Sequence, residues 1–278
     1  MVVALGLLLA TYVGIVAGIA FLIVYRPGYI WYWALVVLAI GLTIAARVRK
    51  TGGLGVLSAV GAEIVAPDRR AGLHEVLERV AGLADIPVPK LALVETDAAN
   101  ALAVGLTRRR SIVVVTRGLI ARLEPEELEA VLAHEIAHLA HRDAAVMTAV
   151  AAPRTLGEVI VGGASEGMGI IWTFIWPLGL LPLGIGTALT LTVSRYREYA
   201  ADRGAVLITG APEQLMSALR KLDAGAAAIP HEDLRAVNAF CIISTAVRRF
   251  SVLSDHPPIQ KRLERLAQMA RDLGRVDA

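Results

Sequence analysis

Cysteine is nearly absent. Cys241 is the single one among 278 residues, which excludes an intramolecular disulfide framework and a cysteine-ligated zinc site, and fits a reducing compartment. Charge is scarce too: 19% of residues are charged, the net charge is +3, and the mean hydropathy of +0.60 is high for a soluble domain. So small a basic excess does not mark a nucleic-acid-binding surface, and no nucleic acid is expected as a partner. The one dense basic triplet, Arg108, Arg109 and Arg110, reads as a solvated loop. Internal repeats and low-complexity tails are lacking as well.

The missing charges are concentrated in long runs. Val2 to Tyr25 and Pro27 to Ala46 carry none, and each is long enough to cross a hydrocarbon layer about 30 Å thick. The first run lacks a basic leader and exceeds the roughly 7–15 apolar residues of a signal peptide, so the two read as a transmembrane hairpin. Arg47, Arg49 and Lys50 follow the second run, whereas the turn carries only Arg26, so the remainder is expected to face the cytoplasm. Gly167 to Ser194 is uncharged and contains Pro177 and Pro182, which suits a further membrane segment. Ala144 to Ser165 is a weaker candidate, because Arg154 and Glu158 sit in its middle.

Between these runs the pattern becomes that of a folded domain. Thr51 to Gly55 form a glycine-rich linker, and after Pro67 a helix presents Leu73, Val76, Leu77 and Val80 on one face. Leu91 to Val94 and Ile112 to Thr116 read as short strands. Glu124, Pro125, Glu126 and Glu127 then open a helix with proline and acid in its first turn, and Leu128, Val131, Leu132, Ile136 and Leu139 form its apolar side. The expected division is a membrane hairpin over 1–50, a first catalytic segment over 51–143, a membrane-associated hairpin over 144–194 and a second catalytic segment over 195–278.

That helix holds His134, Glu135, Ile136, Ala137 and His138, the HExxH pattern. Two imidazoles at i and i+4 project from one face and can grip one metal ion, with Glu135 beside them to accept a proton from water. The bare motif also fits a polar surface stripe. A catalytic zinc takes three protein ligands and leaves one position to water, so a further ligand is required. Glu198 and Asp202, again one turn apart, supply the candidates: one can ligate while the other hydrogen-bonds a ligating histidine. Both histidines and Glu198 can meet only if the intervening chain crosses the membrane an even number of times.

These segments, in this order, resemble the HtpX-type membrane zinc metallopeptidases, gluzincins related to the CAAX-prenyl endopeptidases. The likeness runs from Asn100-Ala101-Leu102-Ala103-Val104-Gly105, through Thr116-Arg117-Gly118-Leu119 and Glu127 to Ala133 before HExxH, to Arg197-Glu198-Tyr199-Ala200-Ala201-Asp202 and His256-Pro257-Pro258. The resemblance implies that His134, His138 and Glu198 ligate one zinc per subunit, that Glu135 is the general base, and that Asp202 supports the ligands. It also implies a mainly α fold with a small β-sheet, in which transmembrane helices accompany a gluzincin-like cytoplasmic metalloprotease domain. Leu102, His141 and Ala200 depart from the family pattern, and none of them removes a ligand.

The expected reaction is peptide-bond hydrolysis on membrane or membrane-associated polypeptides, in the service of membrane-protein quality control and the stress response. The expected location is the cell (inner) membrane, multi-pass. The Ile112 to Thr116 strand, with Ile112, Val113, Val114 and Val115, could offer an open edge to an extended peptide that Asn100 helps to anchor, or equally be an ordinary core strand with Asn100 in a turn. His256 is the candidate donor to an oxyanion. The rival class is a non-catalytic membrane scaffold whose metal is structural, for which His141 would be a fourth ligand. Oligomeric state is not legible.

Overall fold

The computed structural model describes residues 61–105, 107–165, 170–226 and 257–274, with isolated positions 10, 13, 14, 17, 18, 21, 31, 35, 38, 41, 42 and 57. The chain divides into two compact units, Met1–Thr51 with Val146–Val193 and Gly52–Ala145 with Ser194–Ala278.

The second unit is built on a four-stranded sheet of β1 (Glu63–Ile64), β2 (Lys90–Val94), β3 (Ala101–Val104) and β4 (Ile112–Thr116), in the order β1-β2-β4-β3. β2 and β4 run parallel, while β1 and β3 pair antiparallel at the two sides. β4 therefore has a hydrogen-bonded neighbour on each side, and the expectation that it offers an open edge is not met. The reason is visible in its residues: Ile-Val-Val-Val is apolar without alternation, which is the pattern of a strand covered on both faces. Val113 and Val115 enter the main core with Leu77, Val80, Leu132 and Ile136, while Ile112 and Val114 pack on the other face with Leu57, Leu102 and Val104. The terminal strands of the sheet are β1 and β3.

Three helices follow the chain through this unit before it leaves. Helix α1 (Ala71–Leu83) buries Leu77, Val80 and Ala81. Helix α2 (Arg117–Arg122) starts where the Thr116 hydroxyl accepts from Leu119 N at 3.2 Å. Helix α3 (Pro125–Ala140) is fixed at its start by a reciprocal cap, in which Glu124 N donates to the Glu127 carboxylate at 2.9 Å and the Glu124 side chain accepts from the first turn. It ends because Arg142 takes φ of 55°, the left-handed region that stops a helix.

After helices α4 (Asp143–Ser165) and α5 (Ile170–Thr209), the unit is completed by α6 (Pro212–Ala226) and α7 (Ile259–Asp272). Glu127 also accepts from Ser217 Oγ at 2.6 Å and Lys221 Nζ at 2.7 Å, which pins α6 to the start of α3. Helix α7 is strongly amphipathic and buries Arg262, Leu266 and Ala270. Arg265 stacks over the Tyr199 ring at 3.8 Å, joining α7 to α5.

Helices α4 and α5, whose middle parts belong to the first unit, are both long and apolar enough to cross a membrane, over Asp143–Gly162 and Trp176–Thr209. Glu198 lies within the second of these stretches, near its C-terminal end. The two helices approach backbone to backbone: a Cβ on Gly157 would lie 2.4 Å from Leu183 N, and one on Gly186 would lie 2.2 Å from Arg154 N. Arg154 and Glu158, the two charges inside α4, pair at 2.9 Å and so offset each other's cost in an apolar setting. The expected hairpin over 1–50 lies almost entirely outside the described residues. At Val13, Phe21, Leu35 and Leu42 the backbone is helical and the side chain exposed.

One glycine governs how α5 meets α3. A Cβ on Gly204 would lie 2.6 Å from Ala137 Cβ, closer than two methyl groups can approach. Gly204→Ala is therefore expected to destabilise the protein by about 1–3 kcal/mol, the usual cost of overpacking. Thermal denaturation of the detergent-purified chain measures this, and Ala137→Gly in the same chain should recover part of the loss. An unchanged melting temperature in the single variant would mean that the contact is slack.

Candidate metal centre

Helix α3 carries His134 and His138 one turn apart, and α5 brings Glu198 to them. Among the described residues these three form the one group whose ligand atoms all lie within 4.8 Å of one another. His134 Nε2 and His138 Nε2 are 3.1 Å apart, and the Glu198 carboxylate oxygens stand 3.7 Å from the first and 3.8 Å from the second. Donors each about 2.0–2.2 Å from one tetrahedral ion would be separated by roughly 3.4 Å, so the set fits a zinc-sized cation. Two imidazole nitrogens and a carboxylate are also the donor chemistry that zinc accepts at a catalytic site. His141, the candidate fourth ligand of a structural site, is exposed at the end of α3 and outside the group.

The orientation of both rings is set from behind. His134 Nδ1 faces Asp202 Oδ1 at 3.1 Å, and His138 Nδ1 contacts Asp143 Oδ2, so each imidazole turns Nε2 toward the others. Each of these carboxylates is in turn held by an arginine. Arg262, 2% exposed, reaches Asp202 through Nε at 2.8 Å and Nη2 at 2.6 Å, and its Nη1 lies 3.4 Å from Glu198. Arg197 Nε lies 2.9 Å from Asp143 Oδ2. The result is a pair of parallel chains, His134 to Asp202 to Arg262 and His138 to Asp143 to Arg197.

Burial shapes the electrostatics. It would by itself push the Arg262 guanidinium toward neutrality, but the surrounding Asp202, Glu198 and Glu135 carboxylates outweigh it and hold the charge more firmly than usual. Burial likewise lowers His134, yet Asp202 and Glu198 raise it to about 9, a measure of how strongly the pocket attracts positive charge. Glu135 is buried next to His134 on the same helix.

Asp202 thus stands behind His134, as the i and i+4 spacing allowed, while Asp143, Arg197 and Arg262 were not singled out from the sequence. The signal for Asp143 was its place one helical turn and a cap beyond His138; an arginine on an amphipathic helix gives no such sign. Asn100 is buried at the head of β3, where its N–H donates to Thr116 Oγ1 at 2.9 Å and its carbonyl accepts from the same hydroxyl at 3.0 Å. Ile112, Val113, Val114 and Val115 lie within the sheet, with no open edge. His256 lies outside the described residues.

Comparison with known proteins agrees with this geometry. Residues 67–270 match Peptidase family M48. The chain is 37% identical over 272 residues to Protease HtpX homolog 2 of Methanosarcina mazei, covering 92% of this chain and 90% of that protein. It is 33% identical over 294 residues to Protease HtpX homolog 1 of Streptomyces coelicolor, covering 99% of this chain and 93% of that one. Among solved structures, the crystal structure of S. mikatae Ste24p superposes with a TM-score of 0.53 at 18% identity, over 95% of this chain; this chain spans 65% of that one, less than two thirds of its length. That likeness establishes the shared fold.

Replacing Asp143 with Ala is expected to weaken metal affinity about 10–100-fold, the usual effect of losing the group that orients a ligating imidazole. Competition with a chromogenic chelator measures it, with circular dichroism to verify the fold. Unchanged affinity would show that His138 needs no such support.

Proposed function

The chain belongs to peptidase family M48 as a metalloprotease of HtpX type, and from that premise we propose a zinc endopeptidase that hydrolyses membrane or membrane-associated polypeptides. The observation that carries this reading is the convergence of His134 and His138 from α3 with Glu198 from α5 on a space fit for one ion. These three residues would hold one zinc per subunit. When bound there, zinc supplies Lewis acidity toward water and the scissile carbonyl.

The chain's own residues do the rest. Glu135 takes a proton from the attacking water and passes it to the departing amine, so no covalent enzyme intermediate is needed. Asp202 and Asp143 keep the imidazoles in register, and Arg262 holds the Glu198 and Asp202 carboxylates in place. The extended substrate adds to β3, because that strand ends the sheet and packs beside α3. Asn100, at the head of β3, anchors that strand through Thr116. His256 is the proposed donor to the negative charge that develops on the carbonyl oxygen.

The apolar helices α4 and α5 support attachment to a membrane, and the basic cluster Arg47, Arg49 and Lys50 supports a cytoplasmic catalytic unit in the cell (inner) membrane, multi-pass. A peptidase tethered at a bilayer meets membrane proteins first, which suits a role in their quality control. Among the described residues the donor group has three members, which favours a catalytic site with one position for water over the scaffold reading.

Glu135→Gln is expected to lower hydrolysis of an unfolded test polypeptide by about 10²–10⁴-fold while bound zinc, measured by atomic absorption, stays constant. Full cleavage by that variant would remove Glu135 from the role of base.

A further inference from the structure

The sheet of the catalytic unit is polarised in charge. Because β2 and β4 run parallel with Lys90 opposite Ile112, the start of β2 and the turn Arg108–Arg110 that leads into β4 share one end. Lys90 N donates to Ser111 O at 3.0 Å, which confirms the proximity. The Arg108 guanidinium bonds the carbonyl of Ala140, the last residue of α3, and Arg142 follows two residues on. Lys90, Arg109, Arg110 and Arg142 are all exposed. Glu95 and Asp97, with Arg117, lie at the opposite end of the sheet. The loop before β2 contains Asp85, and in it Val88 stands 51% exposed between Pro87 and Pro89.

The chain itself tells what this end faces. Arg142 is followed at once by Asp143, the first residue of the apolar stretch Asp143–Gly162, so the chain leaves the basic end directly into that stretch. We propose that this end of the catalytic unit rests on the bilayer and that Lys90, Arg109, Arg110 and Arg142 bind anionic phospholipid headgroups, with Val88 entering the interfacial layer. Several cations at an anionic surface act together, and an exposed apolar tip beside them has no comparable use in water. The triplet that reads from sequence as a solvated loop thereby gains a partner. The inference rests on α4 being a membrane helix.

The test uses the full chain with Cys241→Ser and Val88→Cys, labelled with a fluorophore at position 88. It is reconstituted into vesicles of phosphatidylcholine alone or of equal phosphatidylcholine and phosphatidylglycerol, each with a headgroup-attached quencher. Quenching is expected to be stronger in the mixed vesicles and to weaken with salt. R109E/R110E should cost at least about fivefold per arginine in the surface-bound fraction, while hydrolysis of a soluble peptide is unchanged. Equal quenching in both lipids, or indifference to R109E/R110E, overturns the inference. So does protection of the label by an added oligonucleotide without response to phosphatidylglycerol, which would assign the patch to nucleic acid. Extraction of the protein by alkaline carbonate would instead overturn the membrane reading of α4, whereas retention with no lipid response removes the headgroup site alone.

Discussion

Everything at the metal centre depends on how closely α5 lies against α3. The histidine pair on α3 is set by helical geometry alone, while Glu198 and Asp202 come from α5, which lies against α3 where Gly204 leaves room for Ala137. A longer side chain at either position would move the carboxylates outward by a distance comparable to the tolerance of a metal site. Packing and chemistry are thus the same constraint. Glu135, Glu198, Asp202 and Asp143 are all buried, and burying four carboxylates is costly unless positive charge lies close to them.

The fold answers that cost with two arginines. Arg262 and Arg197 each sit behind an aspartate that sits behind a histidine, so negative charge is matched one layer away from the ligands. Burying such a network contributes little to stability, since desolvation offsets most of the attraction, but it fixes geometry. Arg262 comes from α7, near the C-terminal end of the chain, and its bond to Asp202 makes the last helix part of the site. Asp143 and Arg197 stand where the chain departs into α4 and returns from α5, so the two connections to the apolar unit are tied together beside the metal ligands.

Much of this could be read from residues alone. HExxH is legible because a helix repeats its faces every three to four residues, and Glu198 with Asp202 repeats the same spacing in a second amphipathic stretch. The charge-free run Gly167–Ser194 falls in α5, and Arg154 with Glu158 obscure α4 because a pair one turn apart reads from sequence as two separate charges. The strand over Ile112–Thr116 reads from its β-branched content as either an edge or an ordinary core strand, and its lack of polar alternation points to the interior. β3 went unread as a strand because Ala101–Val104 is short and built partly of alanine. Partners that come from distant segments, such as Arg262 for Asp202, have no local pattern to betray them.

The central claim is that two imidazoles and one distant carboxylate surround a single ion with room left for water. Anomalous diffraction at the zinc edge from crystals of the zinc-loaded chain tests it most directly. The account predicts one peak, about 2.0–2.2 Å from His134 Nε2, His138 Nε2 and a Glu198 oxygen, with the remaining contact made by a non-protein oxygen. A peak elsewhere, a fourth protein ligand, or Glu198 turned away from the ion would contradict it.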